Sequence, residues 1–455
     1  MTECTQESFE FAEHFSRRVV AQFDGAWMTS DGGGLLLRRT DRKLRLLQRV
    51  AECFRDGREP ARVEHSVAEM LGQRIYGLAL GYEDLNDHEQ LRHDPLLAVL
   101  AGKRDLEQAL AGKSTLNRLE LAPEGLAAAA QDRYHKITYS TEQLDRLLVD
   151  IFLEAHQQAP AEIVLDLDVT DTPLHGEQEE RFFHGYYGHY CYLPLYIFCG
   201  EHLLCARQRA SNQDASAGAL AEVARIVAQI RQRWPKVNII LRADSGFCRE
   251  ELMAWCEAHA VDYVFGLARN ERLEAEIVEL MAQAQSEHAA TQQTARRFGE
   301  FSYQTRKSWS RARRVVAKAE YLDKGPNPRF VVTSLSPQDW PARELYEQLY
   351  CARGEMENRI KEQLSLFADR MSTHSLRANQ LRLYLSSFAY VLLHALRRLA
   401  LANTAWAHAQ VNTIRLRLLK IAAEVRLSAR RICLRYPRAY PWKVLFATVW
   451  SALRC

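Results

Sequence analysis

Apolar residues recur three and four positions apart through most of the first 155 residues of the chain. This spacing is typical of amphipathic helices, which bury one face and leave the other in solvent. It is clearest in residues 63–82 and continues in residues 85–100 and 141–155. We therefore predict that residues 1–155 form a helical N-terminal region. The run Asp31-Gly-Gly-Gly34 lacks the Lys-Ser/Thr of a phosphate-binding loop, so it favours a flexible turn.

The pattern changes at residue 162 to short runs of β-branched and apolar residues. The elements that it predicts are, in chain order, strands at 162–168, 190–198 and 202–207, a helix at 215–233, a strand at 237–241, a helix at 250–258 and a strand at 262–267. Strands that alternate with helices predict an α/β fold. We assign residues 156–270 to the first part of this core.

Residues 271–340 follow a third pattern, rich in aromatic, β-branched and basic residues, and we predict a β-rich insertion there. A long helical pattern returns at residues 342–364, so residues 341–400 are predicted to complete the core. In residues 401–455, basic side chains are interleaved with leucine, isoleucine and valine. This pattern predicts a basic helical C-terminal region.

The formal net charge of +3 hides an uneven distribution along the chain. Residues 376–455 carry fourteen Lys and Arg residues against the single acid Glu424, a net charge of +13, so the other residues sum to −10. A strongly basic segment on an acidic body indicates a polyanionic partner. A helix on a membrane surface or against a partner helix would share this composition, but the acids described below favour DNA.

Composition also disfavours several classes of protein. The longest apolar run, near residues 384–396, is shorter than a membrane span, and the first thirteen residues carry acids without an apolar run. The ten cysteines form no Cys-x-x-Cys pair, which argues against a zinc site and indicates reduced thiols. We therefore expect a cytoplasmic protein with no membrane partner.

Two aspartates stand at the ends of predicted strands: Asp168 ends the first strand of the core and Asp244 ends the fourth. Functional side chains gather at the carboxyl ends of strands in an open α/β sheet. Asp166 lies on the same strand face as Asp168, and Asp171 lies three residues beyond it, so both stay alternatives for this acid. A turn or cap acid is the structural alternative for each.

A third acid is predicted on the helix that completes the core. At 100° per residue, four polar side chains share an arc of about 80° on this helix: Tyr350, Arg353, Glu357 and Lys361. Glu355 falls about 160° away from Glu357 on the same wheel. The structural alternative is a solvated face held by pairs of opposite charge four residues apart.

Together, Asp168, Asp244 and Glu357 are the ligand set that a two-metal phosphodiester site needs. Carboxylate oxygens are hard ligands that suit two Mg²⁺ or Mn²⁺ ions. Such a pair activates the attacking oxygen and stabilises the leaving oxygen of an in-line displacement. Arg353 and Lys361 would then lie beside the reacting phosphate and its developing charge.

Several motifs resemble those of bacterial DDE transposases. Arg242-Ala-Asp-Ser-Gly-Phe247 resembles their second-acid motif, and Tyr350-x2-Arg353-x3-Glu357 resembles the signature around their third acid. Asp166-Leu-Asp-Val-Thr-Asp171 resembles the first-acid segment, in which Asp168 is preferred because it precedes x-Thr. Three further motifs, in and beside the adjoining hairpin, also resemble those of this family: His175-Gly-x-Gln178, His184-Gly-Tyr-Tyr187 and Tyr192-Leu-Pro-Leu195. Together these motifs are similar to insertion-sequence transposases of family 1380.

The resemblance implies a ribonuclease-H-like catalytic core with a β-rich insertion before the last acid. It also implies a homodimer at the nucleoid that cuts the terminal inverted repeats of its element and joins the 3′ ends to target DNA. Residues 1–155 would recognise the element ends. Related signatures place a lysine seven residues after the glutamate. Here that position is Leu364, and Lys361 is the nearest base on the same face.

Basic residues of the predicted insertion and C-terminal region are candidates for DNA contact. By resemblance, Trp309 would stack on a base that is flipped out near the cut site, and packing on its own sheet is the alternative. The candidates are Arg306, Lys307, Trp309, Arg311, Arg313, Arg314, Arg415, Arg417, Lys420, Arg430, Arg431 and Arg435.

Two other functions suit the same residues. A divalent-metal nuclease would use the same three acids to cut DNA without joining it. A domesticated, catalytically silent DNA-binding protein would keep the basic segments, but the complete set of acids argues against it. A strand-transfer assay with a pre-cut 3′-OH end separates the transposase from the nuclease.

Overall fold

The structure, a computed structural model, describes residues 8–125 and 136–454. The chain divides into two compact units. One comprises the residues up to Ala51, Arg58–Leu119 and the residues from Ala395 onward, and the other comprises Glu52–Gly57 and Glu120–His394. The N-terminal and C-terminal regions, which the sequence predicted as separate parts, therefore contribute to one unit.

Nine strands of the described chain form a mixed sheet in the second unit. The eight longer ones are β1 (Glu162–Val169), β2 (Leu195–Cys199), β3 (His202–Arg207), β4 (Asn238–Ala243), β5 (Asp262–Leu267), β6 (Ala295–Tyr303), β7 (Arg313–Leu322) and β8 (Arg329–Thr333). Their order across the sheet is β3-β2-β1-β4-β5-β8-β7-β6, and the short strand Gly325–Pro326 pairs with β7. β1, β4 and β5 are parallel neighbours, and the other pairs are antiparallel. The predicted mixed α/β class is confirmed.

The central strands are covered on both faces because their side chains are apolar on both sides. Ile239 and Leu241 of β4 pack into one core, and Ile240 between them packs into a second core with Leu345 and Leu349. This is the two-residue period of a strand. The helices that contribute to the first core include Thr141–Glu154, Ala219–Arg233 and Glu250–Ala258.

The segment predicted as a β-rich insertion, residues 271–340, extends this same sheet. β8 pairs with β5, and β7 and β6 follow it outward. Two helices, Glu271–Ala275 and Val278–Thr291, precede these strands. A separate small sheet after β1 consists of Thr172–Pro173, Phe182–His184 and His189–Tyr192.

The segment that carries the third acid is not the single regular α-helix that the sequence predicted. It begins at Ala342–Glu344, widens to a π-helix over Leu345–Tyr350 and tightens to a 3-10 turn over Cys351–Arg353. It then continues as the α-helix Gly354–Leu364, which we call the glutamate helix. The 100° wheel therefore applies to Glu355, Glu357 and Lys361 but not across Tyr350. The long helix Leu376–Leu396 follows.

The first unit is mainly helical, as predicted. Its longest helix begins with a capping box between Ser66 and Glu69 and ends at Gly81, whose φ is 99°. The helices that lie in this unit or begin in it are Gly34–Leu44, Leu46–Glu52, Val67–Leu80, His88–Leu91, Pro95–Ala101, Lys113–Glu120, Val411–Ile414 and Lys443–Ala452, with π-helical turns at Arg397–Leu401 and Arg415–Leu419. No helix of the described chain combines the length and the apolarity that crossing a membrane requires.

Several segments of the flanking regions are strands where the sequence predicted helical regions. Ser8–His14 pairs with Arg17–Gln22, and Phe54–Asp56 pairs with Ile137–Tyr139. In the C-terminal region, Ala423–Ser428 and Arg431–Arg435 form a hairpin, whose inner strand also pairs with Met28–Thr29. In Ala423–Ser428 the buried positions Ala423 and Val425 stand two residues apart, so the prediction mistook a two-residue period for a helical one.

The glycine run at residues 32–34 lies against the backbone of residues 418–421 within the first unit. The amide of Gly32 donates to the carbonyl of Ile421 at 2.8 Å, and that of Gly33 donates to the carbonyl of Leu419 at 3.0 Å. A Cβ atom on Gly33 would lie 2.0 Å from the carbonyl oxygen of Leu418. The glycines therefore permit a close approach of two backbone segments, and they form the turn that the sequence predicted, closed by a hydrogen bond from the amide of Gly34 to the carbonyl of Asp31 at 2.7 Å.

Candidate active site

Asp168 and Asp244 lie at the carboxyl ends of two parallel strands that are neighbours in the sheet. Asp168 is the penultimate residue of β1, and Asp244 directly follows β4, where Ala243 pairs with Leu167. The chain turns at once after β4, because the carboxylate of Asp244 accepts a hydrogen bond from the amide of Gly246 at 2.8 Å. This is the sheet edge at which open α/β folds gather functional groups.

Arg353 connects the first and third predicted acids. Its Nη1 donates to Oδ2 of Asp168 at 2.8 Å, and its Nη2 lies 3.6 Å from Oε1 of Glu357. The side chain of Glu357 is 54% exposed, whereas that of Asp168 is 13% exposed. Asp168 therefore lies inside the site, and Glu357 lies at its solvent-facing rim.

One cavity of about 510 Å³ brings most of the predicted site residues together. Three carboxylates and two bases line it: Asp168, Asp244, Glu357, Arg353 and Lys361. Leu364, at the position where related signatures carry lysine, lines the same cavity and gives it an apolar patch. Lys361 is thus the base that the glutamate helix presents to the cavity beyond Glu357.

Tyr350 lies behind Asp244. A Cβ atom built on Gly266 of β5 would lie 2.6 Å from the Tyr350 hydroxyl and 2.9 Å from the amide nitrogen of Ser245. Burial raises the pKa of Tyr350, and the charge of Asp244 raises it further against the opposing effect of Arg353. The hydroxyl is therefore protonated at neutral pH and packs beneath the loop that carries the second acid.

The site carries more negative than positive charge, with three carboxylates against Arg353 and Lys361. Burial raises the pKa of Asp168 to about 6; the positive charge of Arg353 opposes this rise, and the charge of Asp244 adds to it. Burial alone would lower the pKa of Arg353, but Asp168 and Tyr350 outweigh burial and raise it. The Arg353 guanidinium therefore supplies the positive charge that the clustered carboxylates require.

Asp166, the first alternative to Asp168, is held by a buried arginine. Nε and Nη2 of Arg242 donate to its two carboxylate oxygens at 2.5 and 2.8 Å, and Nη1 donates to the carbonyl of Leu349 at 2.5 Å. Both side chains are less than 10% exposed. This bidentate ion pair occupies both carboxylate oxygens of Asp166, so Asp166 is a poor metal ligand. The same arginine also connects β1 and β4 to the π-helical segment.

Asp171, the second alternative, accepts a hydrogen bond from Nε2 of His189 at 2.8 Å and is not among the residues lining the cavity. The motif at residues 184–187 contributes a wall of the cavity through His184, Tyr186 and Tyr187. Burial raises the pKa of Tyr187 to about 12, and the charges of Asp171 and Asp168 add to the rise. The sequence singled out this motif without a role for its side chains.

The donor set fits hard divalent cations. Three carboxylates from two strand ends and one helix line a single cavity that also opens to solvent, and no softer ligand is required. Among residues 8–125 and 136–454, no three His, Cys, Asp or Glu side chains stand close enough together to form a ready metal cluster. The guanidinium of Arg353 instead lies between Asp168 and Glu357.

Comparison with known proteins identifies the family to which the chain belongs. Residues 11–455 match the family model described as transposase DDE domain group 1, which is nearly the whole chain. The chain belongs to this DDE transposase family. Among solved structures, a piggyBac transposase synaptic complex with hairpin DNA covers 85% of this chain and 79% of its own, at 8% identity and a TM-score of 0.42. No curated protein matches the chain.

In this DDE transposase, the basic candidates of residues 306–314 fall into two groups. Arg306, Lys307 and Arg311 are exposed. Arg313 is buried in ion pairs with Glu250 and Glu257 at 2.6 and 2.7 Å. The remaining base, Arg314, pairs with Glu300 and donates to the carbonyl of Trp340. The first group is accessible to solvent, although Arg311 also pairs with Glu257 at 3.1 Å, whereas Arg313 and Arg314 stabilise the sheet.

Trp309 is 6% exposed and belongs to the main core of the second unit. Its ring meets Tyr303 edge to face at 5.8 Å, and the guanidinium of Arg313 lies over it at 5.5 Å. A base could stack on Trp309 only after this packing is broken. The structure favours the packing alternative over the flipped-base role.

We expect Trp309→Leu to lower the free energy of unfolding by about 2–3 kcal/mol, because leucine keeps an apolar side chain but leaves a cavity and loses the ring contacts. Denaturant unfolding measures this change. Binding and cleavage of DNA by the folded fraction should match those of the wild type. A variant with normal stability and impaired cleavage would restore the base-stacking role.

The basic candidates of the C-terminal region also divide by environment. Arg415 is buried and donates to the carbonyls of Ala79 and Leu78, and Lys420 pairs with Asp31 at 2.8 Å. Both therefore hold the first unit together. The exposed candidates are Arg417, Arg430, Arg431 and Arg435, of which Arg435 lies 3.9 Å from Glu424.

Proposed function

We propose that this DDE transposase cleaves the terminal inverted repeats of an insertion sequence of the family 1380 type and joins the 3′ ends to target DNA. The observation that carries the proposal is the convergence of Asp168, Asp244 and Glu357 on one cavity with Arg353 and Lys361. Acids at the ends of adjacent parallel strands, completed by a helical acid, also support a ribonuclease-H-like core. The proposed partners are element-end DNA, target DNA and a second copy of the chain.

The proposed division of roles follows from position. Asp168, Asp244 and Glu357 would hold two Mg²⁺ or Mn²⁺ ions, which supply activation of the attacking oxygen and stabilisation of the leaving oxygen. Lys361, on the glutamate helix one turn beyond Glu357, would contact a non-bridging phosphate oxygen. Leu364 adds no charge there, so Lys361 is the base that the helix offers to the substrate beyond Glu357.

Arg353 would act as an internal counter-ion that moves. Its guanidinium pairs with Asp168 and reaches Glu357. Cations at these carboxylates would repel it, and the scissile phosphate supplies a new anionic partner. Arg353 would thus bind the phosphate only when the acids have their ions, which couples substrate contact to a complete site.

If Arg353 occupies the metal position in this way, Arg353→Gln should strengthen binding of Ca²⁺ or Mg²⁺ about tenfold, which corresponds to ~1.4 kcal/mol. Isothermal titration of the DNA-free protein measures this affinity. The same variant should cleave DNA more slowly. Arg343→Gln is the matched control, because it removes an exposed arginine that pairs with Glu347, lies over the Phe298 ring and does not line the cavity. Unchanged or weaker metal binding by Arg353→Gln would contradict the displacement.

Incubation with a labelled DNA end and Mg²⁺, followed by sizing of the products, tests the function as a whole. A transposase yields both the cut end and a joined product when a pre-cut 3′-OH end and target DNA are present. A metal nuclease yields only the cut end, and a silent DNA-binding protein yields neither. The first result would support the proposal, and either of the others would replace it.

A further inference from the structure

A second large cavity, of about 650 Å³, lies wholly within the first unit and takes no part in the acidic site. Two helices form its walls: Gly34–Leu44, the N-terminal wall, and Lys443–Ala452, the C-terminal wall. Five of its lining residues are basic, and none of the described lining residues is acidic: Arg38, Arg39, Arg42, Lys43 and Arg454. We call this cavity the basic cleft.

The cations of the N-terminal wall are arranged by helical spacing. Leu35, Arg38, Arg39 and Arg42 stand at the three- and four-residue intervals that share one face of a helix. Arg38 and Arg42 are one turn apart, a rise of about 6 Å along the axis. Burial and the charge of Arg42 both lower the pKa of Arg38, whereas Tyr76 and the charge of Asp41 oppose this shift.

The opposite wall of the basic cleft is aromatic and positions two of the cations. Trp450 is 41% exposed, with the guanidinium of Arg39 at 5.5 Å and that of Arg454 at 4.9 Å from its ring centre. Nε of Arg39 also donates to the carbonyl of Leu453 at 2.7 Å. These contacts hold Arg39 and Arg454 in place without neutralising them. Among the described residues, no salt bridge involves any of the five cations of the cleft.

We propose that the basic cleft binds the sugar–phosphate backbone of DNA, independently of sequence and apart from the acidic site. An open cavity that is lined by five cations without a salt bridge, and by no acid, suits several phosphates. Guanidinium groups held by an aromatic ring present their donors to phosphate oxygens. DNA as the occupant rests on the proposed function, because membership of a DNA transposase family favours DNA over other polyanions. The exposed DNA candidates of the C-terminal hairpin do not line this cleft.

The test is equilibrium binding of the full chain to a 30-base-pair duplex of arbitrary sequence, without divalent metal, over a series of salt concentrations. The double variant Arg38→Gln/Arg42→Gln should weaken binding about tenfold and reduce the slope of log affinity against log salt by about 2. The charge-preserving variant Arg38→Lys/Arg42→Lys should retain most of both. The control is Arg62→Gln/Arg118→Gln, which removes two exposed arginines of the same unit that lie outside the cleft.

Because no metal is present, the outcome is independent of cleavage. Loss of affinity and slope in the cleft variant alone supports the proposal even if the acidic triad proves inactive. An unchanged slope overturns it even if the triad is active, and so does loss of binding to phosphatidylserine vesicles with DNA binding intact. If Arg38→Gln/Arg42→Gln fails to fold, Lys43→Gln/Arg454→Gln, which alters two exposed residues, gives the same decision.

Discussion

Replacing Glu357 with glutamine should lower the rate of metal-dependent DNA cleavage by several orders of magnitude. Glutamine keeps the shape of the side chain but removes the charge that would hold an ion at the rim of the site. DNA affinity should persist, because phosphate contacts come from basic residues elsewhere. Stability of the metal-free protein should hold or rise, since one of the repelling carboxylates is gone.

The matched control is Glu355→Gln, which removes a carboxylate two residues earlier on the same exposed turn but outside the cavity. Its cleavage should be close to that of the wild type with either Mg²⁺ or Mn²⁺. Near-normal cutting by Glu357→Gln would overturn the assignment of the third ligand. If Asp168→Asn and Asp244→Asn also kept their activity, the transposase chemistry would have to be placed elsewhere.

Replacing Arg242 with methionine should reduce the free energy of unfolding by about 3–5 kcal/mol. The variant leaves the carboxylate of Asp166 buried without its bidentate ion pair to Arg242. An uncompensated buried charge lowers stability by about this amount. It also removes the hydrogen bond to the carbonyl of Leu349. Denaturant unfolding, with cleavage measured on the folded protein, separates this loss of stability from a loss of chemistry.

A neighbouring arginine provides the comparison for this variant. Arg249 pairs with Asp214 at 2.7 Å, but both side chains are nearly half exposed, so Arg249→Gln should change stability by less than about 1 kcal/mol. The double variant Asp166→Leu/Arg242→Met removes both buried charges and should recover much of the loss. Equal stability of Arg242→Met and the wild type would show that Asp166 is satisfied without Arg242.

The local pattern of the sequence was sufficient to predict the mixed α/β class and to propose the three acids. Asp168 and Asp244 end runs of apolar residues, which mark buried strands, and the wheel of the glutamate helix separates Glu357 from Glu355. The pairing of Asp166 with Arg242 could not be predicted from the sequence. It depends on the register of β1 against β4, and register is a property of the assembled sheet.

Other features depend on contacts between distant parts of the chain. Trp309 in a basic stretch has the composition of a nucleic-acid surface, yet the ring is buried because the neighbouring basic residue Arg313 points inward to two glutamates. The basic cleft is lined by residues near position 40 and residues near position 450. Nothing in either sequence segment indicates that the two lie together in the fold. The π-helical turn before Arg353 was not predicted either, because the apolar spacing of the segment indicated a regular α-helix.

The junction at the glycine run has a consequence for how the protein is made. The amides of Gly32 and Gly33 bond to carbonyls at positions 421 and 419, so the first unit closes across almost the whole length of the chain. A ribosome completes the sheet and the glutamate helix long before it reaches those carbonyls, and domains generally fold as units during synthesis. The unit with the acidic site can therefore fold first, whereas residues 32–34 can pair with residues 419–421 only after those residues have been synthesised. Nascent chains halted before position 419 should contain the acidic cavity but not the basic cleft.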